Sequence, residues 1–462
     1  MRQEWIHIGY LAAAVSFILA LKLMKSPNTA KTGNRLAAAG MGVALVLTFF
    51  DPAVRSENYV WIGAAVLVGA ALSFFPSKSV PMTGMPQMVA LLNGLGGGAV
   101  ALVSLTEFIH ANAVGVQWET VTLITTVLSA IIGCISFSGS LVAFGKLQEL
   151  LPSKALVFPG QKALNLILLA AIVALAVLII AGKPLVLLFA ILVGLALLLG
   201  VLFVIPIGGA DMPVVISLLN SFTGSAAGLA GFVLGNTALL IGGGLVGASG
   251  LILTIEMCKA MNRSLENVIF GALGASPEAA LASAEGKTVR NYSVDDAAII
   301  FSNADSVIVV PGYGMAVAQA QHAVKELMQK LQARDISVKF AVHPVAGRMP
   351  GHMNVLLAEA DVPYELLFDL DDINSEFGET DVALVVGAND VVNPAARVQG
   401  STIYGMPILD VDKAKTCIVI KRSMGAGYAG IENELFYLPN TVMVFGDAKG
   451  VISKLSNAMD SY

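Results

Sequence analysis

The chain has 462 residues, of which 56% are hydrophobic and 13% charged, with a mean hydropathy of +0.78 and a net charge of −5. Ordinary soluble chains carry about 25% charge, so this composition excludes a plain soluble globular protein, a disordered chain and a collagen-like one. The acidic balance argues against nucleic acid as the main partner. Three widely spaced cysteines, Cys134, Cys258 and Cys417, form neither a CxxC pair nor a Cys/His metal spacing.

The charge is unevenly spread. Residues 1–263 hold 13 Lys/Arg and 8 Asp/Glu, whereas residues 264–462 hold 14 and 24. The first part reads as membrane and the second as a soluble acidic domain. A spanning helix needs about 20 mostly apolar residues. Nine segments qualify: 4–24, 35–50, 58–75, 86–108, 120–145, 163–182, 184–204, 212–234 and 238–257. The first has Glu4 ahead of it and no small-residue cleavage site after it, so it is not expected to be a cleaved signal.

Orientation is read from Lys and Arg in the short loops. Lys22, Lys25, Lys31, Arg35, Lys78, Lys146, Lys154, Lys162, Lys259 and Arg263 fall on one side, and only Arg2, Arg55 and Lys183 on the other. This predicts an N-terminus outside and a C-terminal domain in the cytoplasm. Trp5, Trp61 and Trp118 fall near span ends, where interfacial tryptophans belong.

Several spans are polar inside. The fourth carries Asn93 within Asn93-Gly94-Leu95-Gly96-Gly97-Gly98, and the fifth carries Ser136, Ser138, Gly139 and Ser140. The eighth opens at Asp211 and carries Asn220, Ser221, Thr223, Gly224 and Ser225; the ninth has Gly242-Gly243-Gly244, Gly247, Ser249 and Gly250. Small residues let helices approach closely, and that packing role suffices for most of these positions. Asn93 and Asn220 are different, because a mid-span amide is costly to bury unpartnered and marks a wet path. Asp211 reads either as a helix cap or as a functional acid at a span mouth. The five histidines, His7, His110, His322, His343 and His352, are too scattered to supply paired metal or haem ligands.

Residues 264–292 read as a linker, helical around 276–286, and 293–462 as a soluble domain. There β-branched runs at 306–310, 338–342, 382–386, 416–420 and 441–445 alternate with helical or turn-rich stretches, including 351–360 and 448–458. The first run leads into an amphipathic helix reaching about Gln332. The pattern predicts a Rossmann-like parallel sheet with helices on both faces.

Gly312-Tyr313-Gly314-Met315-Ala316-Val317 follows the first strand as a G-x-G-x-x-V form of the dinucleotide fingerprint. Its first Gly makes the tight turn and its second admits a pyrophosphate; Val317 departs from the usual Gly or Ala. The second strand ends at His343-Pro344 with no acid for a ribose hydroxyl. Lys421-Arg422-Ser423 closes the run at 416–420 and can hold a 2′-phosphate, so the domain leans to NADP rather than NAD; a solvated strand end is the competing reading. Gly347 and Arg348 lie in a glycine-rich loop, Val345–His352. Gly387 and Asn389 lie in the loop 387–394, at the expected switch point, and 425–430 reads as a mobile cover with hinge glycines. No Ser/His/Asp or Cys/His arrangement and no Walker P-loop appears.

With these motifs the chain resembles the beta subunit of proton-translocating, Re/Si-specific NAD(P) transhydrogenases over essentially its whole length. The likeness rests on Gly208-Gly-Ala-Asp-Met-Pro213, Cys258-Lys-Ala-Met-Asn-Arg263, Pro311-Gly-Tyr-Gly-Met-Ala-Val-Ala-Gln-Ala320, His343-Pro-Val-Ala-Gly-Arg-Met-Pro-Gly-His-Met-Asn354 and Gly387-Ala-Asn-Asp390. The resemblance implies that NADP(H) binds on this chain and NAD(H) on a partner alpha subunit. Hydride transfer between them would be coupled to inward proton movement, in a dimer of alpha–beta units in a bacterial cytoplasmic membrane. It implies contacts to NADP(H) from Gly312, Gly314, His343, Ala346 and Arg348, and Asp390 positioned near the nicotinamide. Lys421, Arg422 and Ser423 would take the 2′-phosphate, with Gly427 and Tyr428 in a lid over a dinucleotide lying reversed from the usual pose. In the membrane it implies coupling positions at Asn93, Ser140, Asp211, Asn220 and Gly250. Some members carry histidine where this chain has Asn93, and an amide cannot titrate. Either water carries the proton past Asn93 or the alpha subunit supplies the titrating group, the second being the expectation. The competing classes are a nucleotide-gated transporter or channel with an NADP-sensing domain, and a tethered NADP reductase that does not pump.

Overall fold

The computed structural model describes the chain except residues 1, 53, 82–83, 153–154, 183, 209–210, 262–264, 266–287, 350, 402, 426, 428–430 and 462. Lys154, Lys183, Arg263, Tyr428 and the helix expected at 276–286 therefore lie outside the described residues. The chain divides into two compact units, one of Met1–Gly208 and Val215–Thr254, the other of Gly209–Val214 and Ile255–Tyr462.

Among the described residues, nine helices are long and apolar enough to cross a membrane, as the apolar runs predict. They are α1 Arg2–Leu23, α2 Pro27–Phe50, α3 Tyr59–Ser79, α4 Met85–Val114, α5 Thr120–Leu147, α6 Gln161–Ile180, α7 Val186–Val204, α8 Met212–Val233 and α9 Thr237–Ala260. Helix α2 starts earlier than its apolar run because Pro27, at the first turn, opens a helix through polar residues. Helix α4 outlasts its predicted end and stops where Gly115 turns left-handed at φ +72°.

Packing in the first unit depends on small residues. A Cβ on Gly133 of α5 would lie 2.9 Å from the Gly97 carbonyl oxygen of α4, so those backbones nearly touch. A Cβ on Gly243 of α9 would lie 2.3 Å from the Gly228 nitrogen of α8. Helices α5 and α8 are the most enclosed, whereas α3 buries no residue. Near one end Phe108 stacks between Trp118 and Phe189, with centroids 5.4 and 4.1 Å away. Lys146 is buried at the end of α5 and donates to the Ile205 and Ile207 carbonyls at 2.5 and 2.7 Å. A cation there satisfies carbonyls that the end of α7 leaves open.

In the second unit α10, Val294–Ser302, opens on a capping box between Ser293 and Asp296. A six-stranded, all-parallel sheet follows in the order β3-β2-β1-β4-β5-β6. Its strands are β1 Ser306–Pro311, β2 Ser337–Val342, β3 Leu367–Asp369, β4 Val382–Val386, β5 Thr416–Lys421 and β6 Thr441–Phe445. Five match the β-branched runs. The sixth, β3, is a three-residue Leu-Phe-Asp edge strand with no such run. Helices α11 Tyr313–Val317, α12 Gln321–Gln332, α13 His352–Glu359, α14 Leu370–Ile373 and α15 Ala448–Ala458 complete the domain. The single helix expected after the fingerprint is two: α11 ends at Val317, Gln319 is left-handed at φ +48°, and α12 begins at Gln321. The core joins Ile308 and Val310 of β1 to Ala383 and Val385 of β4, Cys417 and Val419 of β5, and Met443 of β6. At the outer edge Tyr292 N–H donates to the Met443 carbonyl at 2.9 Å, and Met443 N–H donates to Arg290 at 2.7 Å.

Candidate functional site

Strand order reverses between β1 and β4, where one crossover runs to β2 and the next to β5. In such sheets ligands bind outside the carboxyl ends at this point. Four predicted loops leave that edge: 312–317 after β1, 343–348 after β2, 387–390 after β4 and 421–427 after β5.

The first and third loops are locked backbone to backbone. Gly312 N–H donates to the Val386 carbonyl and Gly314 N–H to Gly387, both at 2.9 Å. Gly387 is left-handed at φ +66°, and a Cβ on it would lie 2.4 Å from the Gly314 Cα. A Cβ on Gly312 would lie 2.3 Å from the Ala388 Cα. The fingerprint glycines thus admit the neighbouring loop. Met315 and Ala316 are fully buried, backbone included, and Val317 is exposed.

His343 is buried and bonded at both nitrogens. Val345 N–H donates to Nδ1 at 3.2 Å, so Nε2 carries the proton donated to the Pro407 carbonyl at 2.9 Å. Burial pushes its pKa down to about 4, so the ring is neutral at pH 7. Ala346 is buried beyond it. Gly347 is left-handed at φ +107° against the His352 ring, and Arg348 N–H donates to His352 Nδ1 at 3.1 Å. The Arg348 guanidinium then lies 4.3 Å from the Tyr313 ring centroid, joining the second loop to the first.

Asn389 is held by Asn433, whose Nδ2 donates to its backbone and side-chain oxygens at 2.9 and 3.0 Å. Asp390, next in line, lies under the fourth loop: a Cβ on Gly427 would be 2.3 Å from its Oδ1. Lys421, half-buried, donates to the Gly425 carbonyl at 2.7 Å and sits 4.7 Å from the Phe436 ring centroid. Burial lowers its pKa, and the Asp390 charge opposes that shift. Arg422 and Ser423 are exposed beside it. The arrangement offers a basic group, an acid and several glycine backbones along one crevice, which suits a phosphorylated dinucleotide. A hollow of about 660 Å³ bounded by Arg290, Asp412, Lys415 and Asn440 opens near the start of β5 and β6, and holds none of these residues.

In the first unit the predicted polar positions also gather. Asn93 Nδ2 donates to Ser140 Oγ at 2.9 Å and to Ser136 Oγ at 3.4 Å, linking α4 to α5. Ser136 lies 2.6 Å from Thr223 on α8. Gly250 lies against α8: its carbonyl accepts from Ser217 at 3.1 Å and from Thr254 at 2.7 Å. Asn220 is half-buried on α8, while Asp211, immediately before that helix, falls in the second unit. From sequence alone Ser136 and Thr223 suit a packing role, and neither Asn433 nor His352, which position two of the four loops, shows its role there. His352 stood inside a quoted motif, whereas Asn433 carried no local signal. No group of three or more His, Cys, Asp or Glu able to hold a metal occurs among the described residues.

A family model described as the NAD(P) transhydrogenase beta subunit matches residues 6–458. The chain belongs to that family. A curated relative from Rhodospirillum rubrum, named NAD(P) transhydrogenase subunit beta, is 50% identical over 459 residues and covers 98% of each chain. The same name, identity and coverage are found in a designated strain of that species. The family's activity, hydride transfer between nicotinamide nucleotides coupled to proton translocation, agrees with a membrane unit joined to a parallel-sheet domain. As a beta subunit the chain works with an alpha subunit.

Proposed function

We propose that residues 293–462 bind NADP(H), that NAD(H) is held by the alpha subunit, and that 1–263 form the proton-translocating domain, joined through 264–292. The observation that carries this is the pair Lys421–Arg422, which closes β5 at the carboxyl edge beside Asp390 and the switch point. Lys421 and Arg422 engage the 2′-phosphate with help from Ser423. Gly312, Gly314 and Gly387 let the backbone approach the dinucleotide, and Arg348, set by His343 and His352, reaches it from the β2 loop. Asp390 positions the nicotinamide end, and Gly427 and Tyr428 close over it. The bound nicotinamide supplies the hydride chemistry, and the protein contributes position and charge.

Asn93, Ser140, Asp211, Asn220 and Gly250 are assigned to proton movement and its coupling to nucleotide affinity. The chain lies in a bacterial cytoplasmic membrane as part of a dimer of alpha–beta units. Its N-terminus is outside and its nucleotide domain in the cytoplasm. One charge moved inward across about 100 mV supplies about 2.3 kcal/mol, or about a fortyfold shift in nucleotide ratio. One proton per hydride therefore suffices to drive NADPH formation.

The test is nucleotide binding by the full chain purified without its alpha subunit. Wild type should prefer NADP(H) over NAD(H), and Lys421→Ala/Arg422→Ala should lose that preference. Equal binding of both nucleotides by the wild type would refute the phosphate assignment.

A further inference from the structure

The hairpin of α1 and α2 carries four cations at one end, Lys22 and Lys25 where α1 finishes and Lys31 and Arg35 where α2 begins. All four are exposed, and none has an ion pair or a side-chain hydrogen bond among the described residues. No Asp or Glu occurs between Glu4 and Asp51, and those two acids stand at the other end of the hairpin. Close packing fixes the basic end. Thr29 Oγ1 donates to the Leu23 carbonyl at 2.5 Å across the turn. A Cβ on Gly33 would lie 2.8 Å from the Ala20 carbonyl oxygen, and one on Gly40 would lie 3.0 Å from the Ser16 Cβ.

Gly33 and Gly40 therefore turn toward α1. Lys31 and Arg35 flank Gly33 at two residues on either side, about 160° round the helix from it, so they share the opposite face, one turn apart. Like charges at that spacing repel. Orientation in a membrane accounts for basic loops, but not for two cations on one exposed row inside a helix. Arg35 lies about 12 Å along α2 from Pro27, and from Leu36 to Phe50 the helix carries no charge. It thus stands where the apolar run begins. Beyond it the same row continues as Ala38, Gly42 and Val46, exposed and apolar, with open space beside Gly42.

We propose that Lys31 and Arg35 form a binding site for the phosphodiester headgroup of an anionic phospholipid, one acyl chain of which lies along Ala38, Gly42 and Val46. The Arg35 guanidinium offers two parallel N–H donors to the phosphate oxygens, and the Lys31 ammonium adds a second charge from the water side. Binding relieves the repulsion between the two cations and gives Arg35 a partner at the edge of the hydrocarbon. Lys22 and Lys25, on the other helix, add only to the general attraction. A free phosphate shares the headgroup chemistry but has no chain to lay on the apolar row. The site needs only the membrane unit, whichever nucleotide the second unit binds.

The test uses the full chain purified with its alpha subunit in mild detergent. Phosphatidylglycerol or phosphatidylcholine is titrated onto it and counted by native mass spectrometry. Wild type should bind phosphatidylglycerol at least about tenfold more tightly than phosphatidylcholine. Lys31→Gln/Arg35→Gln should weaken phosphatidylglycerol binding at least about tenfold. Lys22→Gln/Lys25→Gln removes the same charge from α1 and should weaken it less than about threefold. No preference for phosphatidylglycerol in the wild type, or equal losses in the two double variants, would overturn the site. Glycerophosphoglycerol, the headgroup without chains, should compete only weakly; competition equal to that of the intact lipid would make this a free-phosphate site and overturn the lipid assignment. Loss of the alpha subunit from Lys31→Gln/Arg35→Gln, with lipid affinity unchanged, would give this face to the partner subunit instead.

Discussion

His343 gives the second unit a sharply placed sensitivity to acid. Its ring is buried with Nδ1 accepting from Val345 and Nε2 donating to Pro407. A second proton would have to sit on Nδ1, where it would break the Val345 bond and bury a charge. Its pKa therefore falls from the ordinary 6.5 to about 4. Because the folded value lies below the unfolded one, the unfolded chain binds more protons between those limits, and stability falls as pH drops through them. The neutral ring's full contribution is present above pH 6.5. At about 1.4 kcal/mol per pH unit, about 3 kcal/mol is lost by pH 4, and little more below it. The comparison is with His343→Gln, whose amide offers a donor and an acceptor but does not titrate. Hydrogen exchange of the full chain in detergent, followed on peptides spanning 340–352 and corrected for intrinsic rates, reads the opening free energy at each pH. The wild-type curve should drop below that of the variant by about 3 kcal/mol between pH 6.5 and 4. Parallel curves would refute the assignment of a neutral, doubly bonded ring.

Two further expectations follow from the same sheet. Gly387→Ala places a side chain at φ +66°, costing about 1 kcal/mol or more, and drives its Cβ into the Gly314 backbone. NADP(H) affinity, measured by calorimetry, should fall at least about tenfold, and an unchanged affinity would show that the close approach of these loops is irrelevant to the site. Asp381 ties the amino ends of β1 and β4 together by accepting from Asp305 N–H, Ser306 N–H and Lys415. These bonds hold its carboxyl down to about 2, so the stability it adds is present above its ordinary 3.8 and fades as pH falls toward 2. Asp381→Asn should be less stable at pH 7 and show a flatter acid limb in thermal unfolding; an unchanged limb would count against the ion pair.

The membrane helices were legible because a bilayer demands length and apolarity, and both are written in the chain. Five of six strands were legible because β-branched runs survive burial on both faces. Strand β3 was not, since Leu367–Asp369 owes its conformation to pairing with Phe340–Val342 rather than to its own residues. The break between α11 and α12 escaped for a similar reason: Gln319 is left-handed in a stretch of good helix formers. Asn93 and Asn220 stood out as costly amides, but the close Ser136–Thr223 contact did not, because serine and threonine are common in spanning helices and only the packing of α5 against α8 brings these two together. Likewise the Arg348 loop was visible as glycine and arginine, whereas its anchors at Pro407 and His352 are tertiary.

The β5 loop shows how such contacts can bear on function. Lys421 holds the Gly425 carbonyl, and two residues later Gly427 lies over Asp390. On the proposed assignment, the 2′-phosphate approaches the same ammonium, whose three donors let it keep Gly425 while holding the phosphate. A charged acceptor there strengthens the cluster that fixes the start of the loop, and the next described residue of that loop, Gly427, covers Asp390. Nucleotide occupancy and loop order are then linked, and whatever shifts the loop must shift NADP(H) affinity by the same factor.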